Sequence, residues 1–321
     1  MAYHGPARNA PGAASLSAPR VEGAAGRPRG RLGYTVGPMD CRLTLAQINP
    51  TLGNLERNFE LHAAEIEAAT RAGSKIVLFP ELSLSGYFLK DQTSEIALSL
   101  DAPLLARLAE RSKQISIAAG FVERSPEGRL YNSIGFFEDG ALIHVHRKVH
   151  LVTYGMFDEQ REFAAGDRFV AFRSKHGRFG FLICEDLWHV SSAYPYFLAD
   201  VDALLVHSCA PGRGVAQEED GQLSSQRVWH TLLAAQALTT QTWVVWTNRV
   251  GWEDGIFFSG GSRVVAPFGK VRAELGGLEP GRLEVELSSR DMERARLLTP
   301  LRRDAKPWLL EQSLVRFRTQ D

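Results

Sequence analysis

From residue 41 onward, hydrophobic and polar residues follow two different periods along the chain. Short continuous apolar runs, such as KIVLF at 75–79 and FGFLI at 179–183, are typical of buried strands. Between such runs, apolar residues recur every three or four positions, as at Leu55, Phe59 and Ile66. This second period predicts amphipathic helices that pack one face onto a sheet.

The two periods together predict an α/β fold. Helices are expected at 54–72, at 101–113, near Tyr194 and at 224–239, and the segment after Asp291 predicts one helix and an extended arm. Because some strands are joined by tight turns and others by helices, we expect mixed sheets covered by helices. Residues 39–321 show no repeat and no interdomain linker, which indicates a single domain. Strands are expected at 41–47, 75–79, 115–122, 130–137, 141–147, 168–173, 178–184, 203–207, 242–248, 262–266, 270–274 and 282–287.

Residues 1–38 differ in composition from the rest of the chain. They are rich in Gly, Ala, Pro and Arg, have no apolar period, and carry five arginines against the single acid Glu22. A signal peptide would need a continuous apolar segment, and this stretch has none. We therefore expect a disordered tail, or a misassigned start with Met39 as the true initiator; an Arg-rich transit segment is the alternative.

Composition excludes several classes of function. The 37 basic residues equal the 37 acidic ones, so the balance of charge gives no reason to expect nucleic acid or an anionic membrane as a partner. No apolar run approaches the length that crosses a bilayer. Three cysteines, Cys41, Cys184 and Cys209, are a poor disulfide framework, which favours a reducing, cytoplasmic location.

Three residues suited to thiol chemistry follow predicted strands. Glu81 follows KIVLF, Lys148 ends ALIHVHRK, and Cys184 ends FGFLIC. A cysteine at a strand end meets backbone N–H groups that favour a thiolate, while a carboxylate can move its proton and a lysine can stabilise an oxyanion. Each residue alone also fits an ordinary structural role. The shared position at strand ends favours a catalytic group.

The ordered trio resembles the nitrilase superfamily of carbon–nitrogen hydrolases. Glu81 stands in LFPELSLSGY, Lys148 in HRKVHL and Cys184 in FLICEDLW, and the resemblance extends over about 43–301. It implies a four-layer α-β-β-α sandwich of two mixed sheets flanked by helices. It also implies that Glu81 acts as the base, that Lys148 stabilises the oxyanion, and that Cys184 is the nucleophile. A homodimer or higher homo-oligomer is implied as well.

The resemblance adds residues around this trio. YGMFDEQREF places Glu159 where members carry a second glutamate, although Asp158 and Glu162 are close in sequence. Pocket residues are expected at Tyr154, Glu185, Trp188 and Ser208, and core packing would explain the aromatic side chains of Tyr154 and Trp188 equally well.

No metal and no cofactor are expected. His144, His146 and His150 alternate along a predicted strand, and exposed imidazoles on an edge strand are the preferred interpretation over a metal site.

The sequence predicts an amidase that cleaves a small non-peptide amide through a Cys184 thioester. AQINPTLGNLERN, YGMFDEQREF and ICEDLW resemble the glutaminase domain of glutamine-dependent NAD synthetase. A Gly-rich phosphate loop followed by Lys or Ser is not found. A glutaminase that supplies ammonia to a separate synthetase partner is therefore one alternative, and a nitrilase or acyltransferase is another. A catalytically silent binding or regulatory subunit is the alternative from a different class.

Overall fold

The computed structural model describes residues 39–214 and 223–319, so the expectation for 1–38 lies outside the described part. Within it the helices are α1 (Leu55–Arg71), α2 (Pro103–Arg111), α3 (Val190–Leu198), α4 (Ser224–Thr240), α5 (Ser289–Leu298), α6 (Leu301–Asp304) and α7 (Pro307–Arg318). The strands are β1 (Cys41–Gln47), β2 (Ile76–Leu78), β3 (Ser116–Arg124), β4 (Leu130–Glu138), β5 (Ala141–Arg147), β6 (Phe172–Ser174), β7 (Gly177–Ile183), β8 (Ala203–Ser208), β9 (Trp243–Asn248), β10 (Val250–Glu253), β11 (Ile256–Ser259), β12 (Arg263–Val265), β13 (Val271–Glu274) and β14 (Gly281–Leu287).

Two six-stranded sheets share one plan. The first has the order β14-β1-β2-β3-β4-β5 and the second β13-β12-β9-β8-β7-β6. In each sheet three central strands run parallel, β1-β2-β3 and β7-β8-β9, and the flanking strands are antiparallel. Chain segments that leave the carboxyl ends of β2 and β7 are therefore available for a site.

Three of the four hydrophobic clusters among the described residues join the layers of the fold. Between the sheets, Ile134 and Phe136 of the first pack in one cluster with Phe179 and Phe181 of the second. A second cluster joins the outer face of the first sheet to α1 and α2, and a third joins the second sheet to α3 and α4. Each buried Phe side chain contributes about 1.5–3 kcal/mol. The predicted four-layer sandwich is confirmed.

Local sequence explains where elements begin. The Asn54 side chain accepts the Arg57 N–H and caps α1, which buries Phe59 and Ile66 against the sheet. Asp254 and Gly255 have φ values of +48° and +77°, so they close the two-residue turn between β10 and β11. The predicted strands omit this hairpin, although the Asp-Gly pair is its signal in the sequence.

Two element predictions are wrong in part. The segment after Asp291 continues as α6 and α7 and not as an extended arm. Its prolines begin helices: Pro300 precedes α6, and Pro307 occupies the first turn of α7, where a missing N–H costs nothing. The strand expected at 168–173 is short, because only Phe172–Ser174 pairs with β7.

Candidate active site

The three predicted residues lie just after the ends of their strands. Glu81 follows β2 by three residues, Lys148 directly follows β5, and Cys184 directly follows β7. Cys184 begins a 3-10 turn with a φ of +46°, a left-handed conformation that is rare for a non-glycine residue. Such strain is common at functional sites.

Lys148 lies between two buried carboxylates. Its Nζ donates to Glu81 Oε1 at 2.7 Å and to Glu159 Oε1 at 2.7 Å. The Lys148 and Glu81 side chains are fully buried, and the Glu159 side chain is 4% exposed. Glu159, and neither Asp158 nor Glu162, is the carboxylate that the structure brings to the lysine. Glu162 instead accepts the Thr93 hydroxyl.

Glu81 is held from both oxygens. Besides Lys148, its Oε1 accepts Asn132 Nδ2 at 2.7 Å, and its Oε2 accepts the Cys209 N–H at 2.8 Å. The sequence did not indicate Asn132, which lies within β4, because nothing in a strand pattern shows which polar residue faces the other buried group. The Cys209 contact uses the backbone, so its side-chain chemistry could not reveal it.

Glu159 has its own set of donors. Its Oε1 also accepts the Tyr87 hydroxyl at 2.5 Å, and its Oε2 accepts the Val152 N–H at 3.0 Å. Charge-assisted bonds of this kind fix a carboxylate firmly. Glu159 therefore has the contacts of a fixed counter-ion for Lys148.

The protonation states follow from burial and charge. Burial raises the pKa of Glu81, and Lys148 opposes that rise. Burial and then the Glu81 charge raise the pKa of the Cys184 thiol well above its usual value. Burial works against the charged form of Lys148, but Glu159 and Glu81 outweigh it and hold the lysine pKa well above normal. The resting site therefore holds a thiol and an ammonium, and a thiolate requires a nearby proton acceptor.

The buried Asp186 joins the Cys184 turn to the segment after Lys148. Its Oδ1 accepts the Val149 and His150 N–H groups at 3.1 and 2.9 Å, and its Oδ2 accepts the Ile183 N–H at 3.0 Å. Asp186 thus fixes the distance between the strand ends that carry the thiol and the ammonium.

The histidine interpretation is wrong for all three residues, because none is exposed and His150 lies beyond the end of β5. His146 is 3% exposed and its Nε2 lies 3.0 Å from Asp186 Oδ2, because that carboxylate draws it inward. His144 is half-buried and stacks on Phe172 at a centroid distance of 4.3 Å. Within 39–214 and 223–319, no group of three or more His, Cys, Asp or Glu is arranged to hold a metal.

We predict that Asp186→Asn lowers both stability and activity. An amide has one acceptor oxygen, so either the Val149 and His150 N–H groups or the Ile183 N–H lose their acceptor. This loss costs about 1–3 kcal/mol in the free energy of unfolding. Chemical denaturation and kcat with an accepted amide measure the two effects. Asp202→Asn is the control, since Asp202 accepts the Arg178 N–H near the opposite end of β7. Loss of activity in both variants alike would contradict the positioning role.

Of the four expected pocket residues, Tyr154, Glu185 and Trp188 are at least partly exposed or lie next to Cys184, whereas Ser208 is fully buried. Tyr154 donates its hydroxyl to Glu185 Oε2 at 2.9 Å, and Glu185 directly follows Cys184. Trp188 is 39% exposed and packs edge-on against Trp229. Ser208 is fully buried and its hydroxyl accepts the Trp246 indole N–H, so it faces the core behind the sheet.

A cavity of about 480 Å³ opens beside the Glu159 carboxylate. Among the described residues, its walls include Tyr87, Phe88, Phe157, Arg161 and Glu159. Tyr87 and Glu159 belong both to these walls and to the buried hydrogen-bonded group around Lys148, whereas Cys184 and Glu81 do not line the cavity. This cavity therefore ends at the counter-ion of Lys148 and does not reach the thiol.

Comparison with known proteins identifies the family. The Carbon-nitrogen hydrolase family model matches residues 42–297. The chain therefore belongs to the carbon–nitrogen hydrolases of the nitrilase superfamily, as its motifs predicted. It is a hydrolase that acts on carbon–nitrogen bonds other than peptide bonds.

Individual relatives include both synthetases and amidases. A glutamine-dependent NAD(+) synthetase of Acinetobacter baylyi is 29% identical over 230 residues, which cover 72% of this chain and 41% of that protein. An (R)-stereoselective amidase of a Pseudomonas species is 31% identical over 233 residues, covering 71% of this chain and 78% of the amidase. This chain thus spans less than half the length of that synthetase.

Structural comparison supports the same fold. Nit3 of Saccharomyces cerevisiae, a member of branch 10 of the nitrilase superfamily, is 25% identical with a TM-score of 0.72. The match covers 84% of this chain and 97% of Nit3. In the described part of this chain, no helix has the length and apolar character needed to cross a membrane.

Proposed function

We propose that this protein is an amidase that hydrolyses small non-peptide amides through a thioester on Cys184. The observation that carries the proposal is the buried Glu81–Lys148–Glu159 group, which influences the thiol pKa through its charges. A buried lysine bound by two carboxylates is costly as a purely structural device. Its position at the carboxyl ends of strands, next to a thiol in a strained turn, supports a catalytic role.

The first half-reaction forms the thioester. Glu81 accepts the proton of Cys184 as the sulfur attacks the amide carbonyl, because the raised thiol pKa disfavours a free thiolate. Lys148 and a backbone N–H of the turn after Cys184 stabilise the oxyanion. Glu81 then returns the proton to the departing nitrogen, and ammonia or an amine leaves.

The second half-reaction releases the acid. Glu81, again a carboxylate, accepts a proton from water, which attacks the thioester carbonyl. Collapse of the tetrahedral intermediate breaks the C–S bond, and the proton on Glu81 passes to the sulfur. Lys148 keeps its charge throughout, since Glu159 remains its counter-ion whichever group holds the mobile proton.

Glutamine hydrolysis is a second candidate, favoured by Glu185. This carboxylate directly follows Cys184, is 8% exposed, and accepts the Tyr154 hydroxyl. Burial raises the pKa of Glu185, so an ammonium group of the substrate would favour its ionised form. The likeness to part of an NAD(+) synthetase supports this candidate and, with it, a separate ammonia-accepting partner.

A substrate pair separates the two candidates. Glutamine and glutaramate carry the same side-chain amide, but only glutamine has the amino group. If Glu185 binds that group, we expect wild-type kcat/KM to favour glutamine by about 10-fold or more, and Glu185→Gln to remove the preference. Ammonia release measures both rates.

Simple aliphatic amides serve as the control. Hydrolysis of propionamide is expected to survive Glu185→Gln, because it offers no ammonium. Equal rates with glutamine and glutaramate would refute the glutaminase candidate and leave the amidase proposal. No ammonia from any amide would refute both.

A further inference from the structure

A second buried ion pair lies outside the group assigned to catalysis. Arg249, whose side chain is fully buried, donates from Nη1 to Glu253 Oε2 at 2.6 Å. Its guanidinium also lies 4.3 Å from the centre of the Phe258 ring. Removing two charges from water costs several kcal/mol per ion before their attraction offsets it. The pair therefore calls for an explanation beyond packing.

Glu253 uses its other oxygen to hold a chain segment. Oε1 accepts the N–H groups of Tyr87 and Phe88 at 2.8 and 2.7 Å. Gly86 has a φ of +81°, and a Cβ there would lie 2.8 Å from Glu253 Oε2. Residues 86–88 thus pass close against the carboxylate, and glycine makes this approach possible.

Residues 86–88 are connected to Lys148 through the Tyr87 side chain. The Tyr87 hydroxyl donates to Glu159 Oε1, the same oxygen that accepts Lys148 Nζ at 2.7 Å. The Tyr87 ring is fixed by edge-on contacts with Phe157 and Phe258, at 5.9 and 6.3 Å. The Glu253 carboxylate is therefore connected to Lys148 by a continuous series of contacts. It binds the Tyr87 N–H, the Tyr87 hydroxyl binds Glu159, and Glu159 binds Lys148.

We infer that Glu253, held by Arg249, is a positioning residue that sets the place of Lys148 through Tyr87 and Glu159. This inference deepens the proposed amidase function and rests on it. Glu253 bonds to the backbone of Tyr87 and not to the lysine itself. The hydrogen bonds of this route reach Lys148 through the Tyr87 hydroxyl and Glu159 Oε1.

Glu253→Gln is expected to lower kcat by about 3- to 10-fold with little change in KM, because the hydrogen bond from the Tyr87 N–H to residue 253 weakens. The acid limb of the kcat/KM profile should move to higher pH. The reason is that a less firmly held Lys148 lowers the pKa of Glu81 less. Tyr87→Phe, which removes only the hydroxyl bond to Glu159, should give the same change.

A double-mutant cycle tests whether the two residues act in series. In the Tyr87→Phe background, Glu253→Gln should change kcat by less than about twofold, because the route is already broken. Multiplication of the two single effects would overturn the inference, since Glu253 would then act by another route. So would an unchanged kcat and pH profile in Glu253→Gln.

Glu138→Gln is the matched control for lost stability. Glu138 is also buried, and it accepts the Ser116 and Ser174 hydroxyls and the Lys175 N–H. The control should lower the melting temperature without moving the acid limb of the profile. A shift of the limb in the control would show that general destabilisation causes it, and the inference would fall.

Alkylation of Cys184 by iodoacetamide keeps the test independent of the substrate. The rate, followed by mass spectrometry of the Cys184 peptide, should show the same pH shift in Glu253→Gln and Tyr87→Phe. A wild type that alkylates normally but hydrolyses no amide refutes the proposed function. An alkylation profile that neither variant moves overturns the positioning role.

Discussion

Cys184→Ala is expected to abolish amide hydrolysis, with kcat falling by roughly 10⁴-fold or more because no other group can form the thioester. Alanine removes the sulfur and keeps the turn, so the fold should persist. Ammonia release measures the activity, and circular dichroism with thermal unfolding verifies the fold.

Cys209→Ala provides a matched control within the same site. Cys209 is also a buried thiol. Its backbone N–H binds Glu81 Oε2, and alanine keeps this bond; alanine removes only the thiol bond to the Glu81 carbonyl oxygen at 3.1 Å. We expect this variant to retain activity within several-fold of wild type. Comparable losses in both variants, or hydrolysis that persists in Cys184→Ala, would contradict the assignment of the nucleophile.

Lys148→Met is expected to cost both activity and about 3–5 kcal/mol in the free energy of unfolding. The substitution leaves Glu81 and Glu159 buried without the ammonium that now binds both. The oxyanion also loses its cation. Urea denaturation measures the stability and ammonia release the activity.

The stability deficit of Lys148→Met should depend on pH. Burial already raises the pKa of Glu81, and loss of the opposing Lys148 charge raises it further. The folded variant then binds protons that the unfolded chain does not. Its free energy of unfolding should therefore rise as pH falls from about 7 to about 5, and this gain should be lost as pH rises through the raised pKa.

Lys90→Met is the control for this effect. Lys90 forms an exposed ion pair with Asp254, with the lysine side chain 67% exposed, so solvent screens it. Little change in stability is expected, with no comparable dependence on pH. If the stability deficit of Lys148→Met is small or independent of pH, groups other than Lys148 must compensate the charges of the buried Glu81 and Glu159 carboxylates.

Sequence periodicity predicted the layers of this fold well, because each layer depends on which face of a strand or helix is apolar. The run FGFLI became β7 and the spacing of Phe59 and Ile66 became the buried face of α1. The helices after Asp291 were harder to predict. α7 buries none of its residues, so no apolar face aligned with a core could indicate it.

The candidate site was predicted through its strand-end side chains and not through its supports. Glu81 and Lys148, which were predicted from their strand ends, lie in contact, and Glu159, which was expected from the resemblance alone, binds the same lysine. Asn132 and the Cys209 N–H were missed because their contacts join residues far apart in sequence and depend on the register of the packed sheets. Periodicity carries no information about such contacts.

The central claim is a covalent acyl group on Cys184. Rapid quenching during hydrolysis of a slow amide, followed by mass spectrometry of the digested protein, tests it most directly. We predict a mass increase equal to the acyl group on the peptide that contains Cys184, with no such increase in Cys184→Ala. Ammonia release accompanied by an unmodified Cys184, or by an acyl group on another residue, would contradict it.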